Sequence, residues 1–484
     1  MSESSCRRNY RRHRHRRLLG GRSCCKLMWI CFLVLSWVSL SQAFQAFYRQ
    51  PHKQKHHRVS EKIETASLPL YAALSSSTSS SSATGGVWQT RNATFTWRRI
   101  TSTERDKPSF SFWRRRSANR RTCQSPLAVY LSYQYDELQL TQPHENDNEN
   151  RRTVGMILIH PIGVGISKWF YHRLLTSLSE HYSASSLKQN NLHILVPDLI
   201  ASGSACNATV LAVGDKDEDI QIELPRPWPL LNISDWSEQV LDLMTHTTNN
   251  EVIDEWVIVA NGGCSPIALQ VAARTNLTIS RIVLSSVPRL PFFTTRGSEP
   301  HKVKKSYKRL ANGILGKLFW WYALRKDGKF IQRFSERNLV ASSQNLGPEW
   351  TPNCVANAKN YNSRYSTFSF LVGCLQDGCV ESLEQLLQPE RNKNVATTST
   401  TIIDIIQGRD VRRNQARSVF WQRRRKSQRK VNNETSESSS PTSLSFRDWL
   451  EERDMLGSNR TVGGRVSLAY EDPDGYAKAL LELL

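Results

Sequence analysis

The sequence predicts an α/β protein whose central sheet is mostly parallel and is covered by helices on both faces. The first observation is a series of short, nearly continuous apolar runs, such as residues 153–160, "TVGMILIH". The second is that segments with helical spacing, such as residues 168–182, "KWFYHRLLTSLSEHY", alternate with these runs. Strands that are buried on both faces and alternate with helices are typical of parallel sheets.

The elements of this core run from about residue 127 to the last residue. Residues 127–137 alternate between apolar and polar side chains and predict an edge strand. The later elements are, in order, residues 192–203 (strand), 235–247 (helix), 255–260 (strand), 279–290 (strand), 400–410 (strand), 463–470 (strand) and 472–484 (helix). In sheets of this type, ligands bind beyond the carboxyl ends of the strands.

Between residues 298 and 387 the strand pattern stops, and helical spacing with many aromatic side chains replaces it. This pattern predicts a helical lid inserted after a strand, at residues 298–390. We interpret its aromatic cluster, residues 319–322, as packing between lid and sheet in preference to ligand contact. The lysines and arginines of the segment indicate either a solvated charged face or contact with an anionic membrane.

The formal charge of +22 is concentrated in two segments. Residues 1–125 carry roughly +19 and residues 408–430 carry about +9, which leaves a mildly acidic remainder. A folded body with that charge does not offer a basic surface to nucleic acid, and no nucleic-acid partner is predicted. Residues 412–445 have no apolar period and are interpreted as a disordered basic and Ser-rich insertion.

The first 125 residues predict targeting. A basic stretch precedes an apolar run of about 15 residues that ends near Ala43, which is the build of a secretory signal peptide. Residues 44–125 are rich in Ser, Thr and Arg and poor in acids, as in a transit peptide. This leader resembles the two-part presequences of algae with secondary plastids. The alternatives are a retained anchor at residues 27–41 and an endomembrane or secreted protein.

The whole chain is therefore predicted to have seven segments. They are residues 1–43 (signal peptide), 44–125 (transit-peptide-like disordered region), 126–297 (first part of the core), 298–390 (lid), 391–411 (core strand and acid loop), 412–445 (disordered insertion) and 446–484 (last strand and helix). The five cysteines after residue 125 contain no Cys-x-x-Cys pair, so neither a disulfide framework nor a metal site is predicted. No cofactor is predicted.

Residues 255–274, "EWVIVANGGCSPIALQVAAR", contain the segment on which the function depends. A buried strand breaks at "NGG", and the chain continues with the spacing of a helix. A strand, a sharp turn and a helix form a nucleophile elbow in enzymes that hold a Ser, Cys or Asp at the tip of the turn. Here the start of the helix places glycine at the tip, so the frame of an active site is present and its nucleophile is in question.

Around this elbow, residues 127–484 resemble the α/β-hydrolase superfamily. The matching segments are "LIHPIGVG" at the oxyanion loop, "VPDLIASGSA" at a strand end, "VIVANGGCSPIAL" at the elbow, "IIQGRD" at the acid position and "YEDPDGYAKALLELL" at the last helix. More narrowly, "HPIGVGISKWFYHRL", "SRYSTFSFLVGCLQD" and the doubled-glycine elbow resemble a hydrolase-like branch of cyanobacteria and plastids. The resemblance implies the α/β-hydrolase fold and a site built from a nucleophile, an acid and a histidine.

The resemblance places Gly262 at the tip of the elbow, with Ala260 and Cys264 at the two flanking small positions. Glycine has no nucleophilic atom. A register shifted by two residues makes Cys264 the nucleophile and places Pro266 in the first helical turn, where proline is tolerated. Ser265 is interpreted as a helix-start residue.

The histidine and the acid of the family pattern are also altered. The histidine is expected just before the last helix, where this sequence has Arg465 or Val466, and no histidine follows His301. His301 itself is interpreted as a surface or lid residue. Asp410 matches the acid position, and we predict that it forms a structural ion pair with Arg465. Without a general base, hydrolysis of the usual kind is not expected.

Main-chain donors remain at the predicted site. The amides of Gly263 and Ile162 are expected to converge where an oxyanion or carbonyl oxygen sits, and Gly262 permits close approach of a ligand. His160 either borders this pocket or is a structural histidine. The leading hypothesis is a plastid protein that binds a small molecule or lipid carrying a carbonyl or carboxylate. The alternatives are a hydrolase of altered mechanism that uses Cys264, and a membrane-associated scaffold.

Overall fold

The computed structural model describes residues 86–100, 127–141, 151–184, 190–213, 219–224, 226–288, 293, 299–376, 379–387, 401–409 and 445–484. The predicted signal peptide, residues 1–43, lies outside these ranges, as does all but the last residue of the predicted insertion at 412–445. Within the described ranges, no helix is long and apolar enough to span a bilayer.

The strands of the described residues form a single sheet. They are β1 Val87–Ile100, β2 Leu127–Leu140, β3 Arg152–Ile159, β4 Asn190–Pro197, β5 Asn207–Val213, β6 Asp219–Glu223, β7 Glu255–Asn261, β8 Ile279–Ser285, β9 Ile402–Gly408 and β10 Leu456–Val462. Their order is β10-β9-β8-β7-β3-β4-β2-β5-β6, with β1 paired to β2 beside this path. From β10 to β4, all neighbouring strands are parallel.

Strand β3 explains the continuous apolar run in the sequence. It lies between β4 and β7, and residues 156–159 are fully buried because both faces of the sheet are covered. Burying one large apolar side chain completely contributes about 1.5–3 kcal/mol. The centre of the sheet is therefore the main source of stability on which the site is built.

Strand β2 joins the parallel part of the sheet to an antiparallel part. It pairs antiparallel with β4 through one half, with β5 through the other half, and with β1 along its opposite side. The prediction that this segment is an edge strand is therefore wrong, because β2 has partners on both sides. The pattern is misleading because the polar residues Asp136 and Glu137 are buried in ion pairs instead of facing solvent.

Strand β1 lies inside residues 44–125, which the sequence predicts to be disordered. That prediction is wrong for Val87–Ile100, because the strand pairs with β2 along its length. Phe95 and Trp97 are buried, and the indole Nε1 of Trp97 donates a hydrogen bond to Asp235 Oδ1 at 2.9 Å. The surrounding Ser, Thr and Arg residues conceal this short apolar alternation in the sequence.

Helices cover both faces of the sheet. On one face α1 His172–Ala184 packs against α11 Pro473–Leu481, and on the other α2 Ile233–Asn250 packs against α3 Ser265–Arg274. Consecutive residues of a strand point to opposite faces. Accordingly, Asp136 reaches the start of α1, and its neighbour Glu137 is linked through His193 to the end of α2. The predicted fold class is confirmed.

Among the described residues, five α-helices lie between β8 and β9. They are α4 Pro300–Asn312, α5 Ile314–Asn338, α6 Trp350–Ala358, α7 Arg364–Leu371 and α8 Cys379–Leu387, here called the helical insertion. Thr367 Oγ1 donates to the carbonyl of Gly163 at 3.2 Å, and Ser366 Oγ donates to that of Ala201 at 2.7 Å. Gly163 and Ala201 follow β3 and β4, so the insertion lies against the carboxyl ends of the parallel strands.

The remaining helices, α9 Phe446–Glu451 and α10 Leu468–Glu471, flank β10. The main-chain amides of Val466 and Ser467, just before α10, both donate to the carbonyl of Leu339 at 3.2 Å. Hydrogen bonds therefore join the last part of the chain directly to the helical insertion.

Candidate functional site

The elbow after β7 is a tight turn with glycine at its tip. Strand β7 ends at Asn261, a 3₁₀ turn covers Gly262–Cys264, and α3 begins at Ser265. Gly262 has φ +56°, a conformation that residues with side chains adopt rarely and at a cost. The strained position of the turn is thus Gly262, and Cys264 lies two residues further on, at the start of α3.

Above the tip there is unfilled space. A Cβ atom built on Gly262 has no other atom of the described residues within 4 Å, apart from its chain neighbours. Gly262 is nevertheless buried from solvent. An open direction at a buried residue indicates that the tip of the turn, at the carboxyl end of β7, has room for added atoms.

Cys264 does not have the properties of a nucleophile. Its side chain is fully buried, and burial raises the pKa of the thiol to about 12, against the smaller lowering effect of a hydrogen bond from the main chain of Ile162. A reactive cysteine instead needs a thiolate favoured by a cation or a helix terminus. The shifted register that makes Cys264 the nucleophile is therefore not supported.

The main chain of Ile162 contacts Cys264. Its N–H donates to the thiol of Cys264, which joins the loop after β3 to the elbow. Gly263 lies in the first turn of a helix, where main-chain amides have no partner within the helix. The convergence of the Ile162 and Gly263 amides on one oxygen stays a prediction.

The place that the family reserves for histidine is occupied by a main-chain network. The carbonyl of Val466 accepts hydrogen bonds from Asn261 Nδ2 at 3.2 Å and from Ser286 Oγ at 2.7 Å. The guanidinium Nη1 of Arg465 donates to the carbonyl of Arg337 in the helical insertion at 2.7 Å. This region therefore closes the end of the sheet and holds the helical insertion.

His160 lies beside the elbow but supports the loops with both ring nitrogens. Nδ1 donates to the carbonyl of Pro161 at 3.0 Å, and Nε2 accepts from the amide of Leu199 at 3.1 Å. Burial lowers the pKa of its imidazole, against the raising effect of Asp198, so the ring is neutral. His160 therefore joins the end of β3 to the end of β4, which fits the structural role that the sequence left open, and its place at a ligand pocket stays a prediction.

The other candidates from the sequence lie elsewhere. His301 is exposed at the start of α4 and contacts Glu299 at 3.4 Å. Ser265 Oγ donates to the carbonyl of Gly262 at 2.7 Å, which fits the helix-start role. Asp410, the predicted acid, lies outside the described residues, so its pairing with Arg465 stays a prediction.

The described residues contain one cluster with the composition of a metal site. Ligand atoms of Glu137, His193 and Glu251 all lie within 4.8 Å of one another. However, His193 Nε2 faces Glu137 at 2.6 Å and Nδ1 faces Glu251 at 2.7 Å, and one metal ion does not bind both nitrogens of a ring. Arg91 also pairs with Glu137. We therefore assign this cluster as an ion-pair network.

A second network occupies the opposite face of β2. The Asp136 carboxylate accepts from Thr90 Oγ1 at 2.6 Å, contacts His172 Nε2 at 2.8 Å and pairs with Lys168. Burial acts to raise the pKa of Asp136, but His172 and Lys168 together lower it below its usual value. The carboxylate is thus charged, and it fixes the start of α1 to β2.

Three residues that sequence analysis did not single out shape the elbow. Asn261 bridges the Ser285 hydroxyl at 3.2 Å and the end of the chain, and Thr367 ties the helical insertion to the loop after β3. Only Asn261 has a local signal, since it is a buried amide at the end of an apolar strand and such a group requires partners. The positions of Ser285 and Thr367 depend on contacts between distant segments.

The strand order, the antiparallel β2 beside β4 and the turn after β7 together decide the fold. The chain has the α/β-hydrolase fold. No family model matches this α/β-hydrolase-fold chain, and neither does any curated protein. Its activity therefore has to be argued from its own site.

Solved structures similar to this α/β-hydrolase-fold chain share little sequence with it. A candidate epoxide hydrolase of Pseudomonas aeruginosa aligns with a TM-score of 0.42 and 9 % identity, over 73 % of this chain and 92 % of that chain. The peroxisomal α/β-hydrolase Lpx1 of Saccharomyces cerevisiae aligns with a TM-score of 0.41 and 12 % identity, over 83 % of this chain and 89 % of that chain. The haloalkane dehalogenase DbeA of Bradyrhizobium elkani aligns with a TM-score of 0.40 and 10 % identity, over 74 % of this chain and 97 % of that chain. Structural similarity at this level of identity does not assign an activity to this chain.

Proposed function

We propose that this α/β-hydrolase-fold protein binds a small molecule or lipid with a carbonyl or carboxylate group above the elbow and does not hydrolyse it. The observation that carries the proposal is the open direction at the tip of the turn, where a Cβ on the buried Gly262 would meet no other atom of the described residues within 4 Å. A protein interior is normally close-packed, so a space at the carboxyl end of the sheet indicates a ligand site.

The groups around this space favour binding over chemistry. The amide of Gly263 is a donor that suits an anionic or carbonyl oxygen at the start of α3, where the helix dipole also favours negative charge. No hydrogen bond within the described residues joins a histidine to Cys264 or Ser265. Acyl transfer requires an activated nucleophile, and a buried thiol with a raised pKa and a bonded hydroxyl do not supply one.

A matched pair of substitutions at the tip tests the binding. Asn and Asp both tolerate positive φ better than other side chains, have nearly the same size and differ in charge. Octanoate binding to the full chain is measured by isothermal titration calorimetry for the wild type, Gly262→Asn and Gly262→Asp. We expect the wild type to bind, and the Asp variant to bind at least about tenfold more weakly than the Asn variant because two carboxylates meet.

Two results count against the proposal. Equal affinities of the Asn and Asp variants would place the carboxylate away from the elbow. A wild type that binds no octanoate would contradict the proposed class of ligand.

The runner-up function, a hydrolase using Cys264, is tested with p-nitrophenyl octanoate. Hydrolysis by the wild type that is lost in Cys264→Ala would support the enzyme, whereas we expect no turnover above buffer in either protein.

We also propose that the leader delivers the protein to a plastid, with membrane anchoring or secretion as the alternatives. The proposal is supported by the basic, apolar and Ser-rich composition of the leader. Because β1 begins at Val87 and is paired with β2, a presequence that is removed must end before that residue to leave the sheet complete. Fusion of residues 1–86 to a fluorescent protein in an alga with a secondary plastid tests this; fluorescence outside the plastid would contradict it.

A further inference from the structure

The helical insertion exposes an apolar face. Four of the seven large hydrophobic side chains exposed in the described ranges lie on the first half of α5. They are Ile314, Leu318, Trp321 and Tyr322, with exposures of 65 %, 38 %, 57 % and 47 %, here called the α5 face. Their spacing of four, three and one residues places them on one side of the helix. A contiguous exposed apolar patch indicates an interaction site.

Cations lie next to the α5 face. Residues 300–326 contain eight Lys or Arg residues and no Asp or Glu. The exposed side of α4 carries Lys304, Lys305, Lys308 and Arg309, here called the α4 cations, along a shallow open hollow that reaches Asn312 and Gly313. Gly313 directly precedes Ile314, so the cationic side of α4 meets the apolar face at the start of α5.

This surface is held firmly on the body of the protein. Tyr307, on the buried side of α4, donates to the carbonyl of Trp228 at 2.9 Å. Arg364 Nη2 donates to the carbonyl of Ala311 at 3.2 Å, and Trp320, on the opposite side of α5, donates to the carbonyl of Ala358 at 3.2 Å. The apolar side chains of the α5 face are therefore exposed in the packed structure itself.

We propose that α4 and α5 dock the protein on an anionic membrane surface. The α4 cations would contact lipid phosphates while the α5 face enters the boundary between headgroups and acyl chains, where Trp and Tyr are favoured. A nucleic acid would satisfy the cations but leave Ile314 and Leu318 against water. A bilayer with anionic lipids offers negative charge and an apolar layer side by side, which matches both parts of this surface.

Docking is separate from ligand binding at the elbow, and its test uses three variants of the full chain. One replaces Lys304, Lys305 and Lys308 by Gln. The second replaces Leu318 and Trp321 by Ser. The control replaces three exposed arginines near the β10 edge, Arg447, Arg453 and Arg460, by Gln, and so removes the same charge. All variants keep the leader, so its own membrane affinity cancels in the comparison.

Cosedimentation uses vesicles of phosphatidylcholine with and without about 30 % phosphatidylglycerol. On the anionic vesicles, we expect the lysine variant to bind about 100-fold more weakly than the wild type, because each of the three lost cations contributes about fivefold and screening reduces the product slightly. The Leu318→Ser, Trp321→Ser variant should bind roughly tenfold more weakly, and the arginine control within about twofold of the wild type. Hydrogen exchange of residues 300–324 should slow on anionic vesicles.

Each other result overturns the proposal. Equal binding of all variants would assign membrane affinity to another part of the chain. Weaker binding of the lysine and arginine variants alike would show an effect of net charge without a docking surface. A loss in the lysine variant alone, with the Leu318 and Trp321 variant unchanged, would contradict entry of the α5 face into the bilayer. Unchanged exchange of residues 300–324 on bound protein would exclude this surface from the contact.

Discussion

The elbow after β7 and the middle of β2 use polar groups in opposite ways. At the elbow the side chains of His160, Cys264 and Ser265 all face main-chain groups. Along β2, two buried carboxylates, Asp136 and Glu137, each face an imidazole and a cation. The imidazole–carboxylate pairs of the described residues on β2 connect helices to that strand.

This comparison indicates that the polar groups of β2 stabilise the fold, whereas the tip of the elbow is the candidate binding site. Removing a charge from β2 leaves buried partners uncompensated, whereas adding atoms at the elbow tip fills existing space. The two regions should therefore respond to substitution in different ways. The following predictions measure that difference, beginning with the largest effect.

Two glycines with positive φ distinguish a packed turn from an open one. Gly165 (φ +70°) lies against the helical insertion, where a Cβ would overlap the carbonyl of Cys354, whereas Gly262 (φ +56°) has open space. We expect Gly165→Ala to lower the free energy of unfolding by about 3–5 kcal/mol, from clash plus backbone strain, and Gly262→Ala by about 1–2 kcal/mol, from strain alone. Urea denaturation measures both. Equal losses would mean that the space above Gly262 is filled.

The ion-pair network on β2 should be the next most sensitive feature. Glu137→Gln keeps the shape of the side chain but leaves buried His193 and half-exposed Arg91 without their shared carboxylate. We expect the free energy of unfolding to fall by about 3 kcal/mol. Glu251→Gln is the control, because that side chain is 34 % exposed and water partly replaces it, so less than about 1 kcal/mol should be lost. If the cluster bound a metal ion tightly, both substitutions would cause large losses and the predicted difference between them would disappear.

The smallest predicted effect is a pH dependence that His160 causes. Burial lowers the pKa of its imidazole below 6.5, so below that pH the unfolded chain binds a proton that the folded protein does not. Stability should therefore be constant above about pH 6.5 and decrease as the pH falls from 6.5 towards the lowered pKa. Comparison of His160→Gln with the wild type by urea denaturation across this range isolates the effect. If the free energy of unfolding of His160→Gln depends on pH as steeply as that of the wild type, another group is responsible.

The sequence predicts those parts of the fold that local spacing determines. The continuous run of residues 153–160 and the strand–turn–helix of residues 255–274 both have the predicted form in the structure. Strand β1 does not follow from the sequence, because Phe95 and Trp97 are short apolar signals inside a Ser- and Arg-rich segment. Its stability comes from pairing with β2, which is a contact between distant residues.

The candidate site is less predictable than the fold for the same reason. The glycine tip follows from the start of α3, since a helix fixes the phase of the turn before it. The hydrogen bond from the amide of Ile162 to the thiol of Cys264, in contrast, depends on the exact approach of two loops and does not follow from the sequence. The partners of His160 and Val466 are also main-chain groups of other segments, and sequence patterns carry no signal for them.

The central claim is that the elbow holds a space and a donor but no nucleophile, and covalent labelling tests it most directly. The folded full chain is treated with a fluorophosphonate and, separately, with iodoacetamide, and residues 261–274 are then examined by peptide mass spectrometry. Labelling after unfolding in urea is the positive control for Cys264. We predict that neither Ser265 nor Cys264 is modified in the folded protein and that Cys264 is alkylated once unfolded. Modification of either residue in the folded protein, at the rate of an exposed group or faster, would contradict the account.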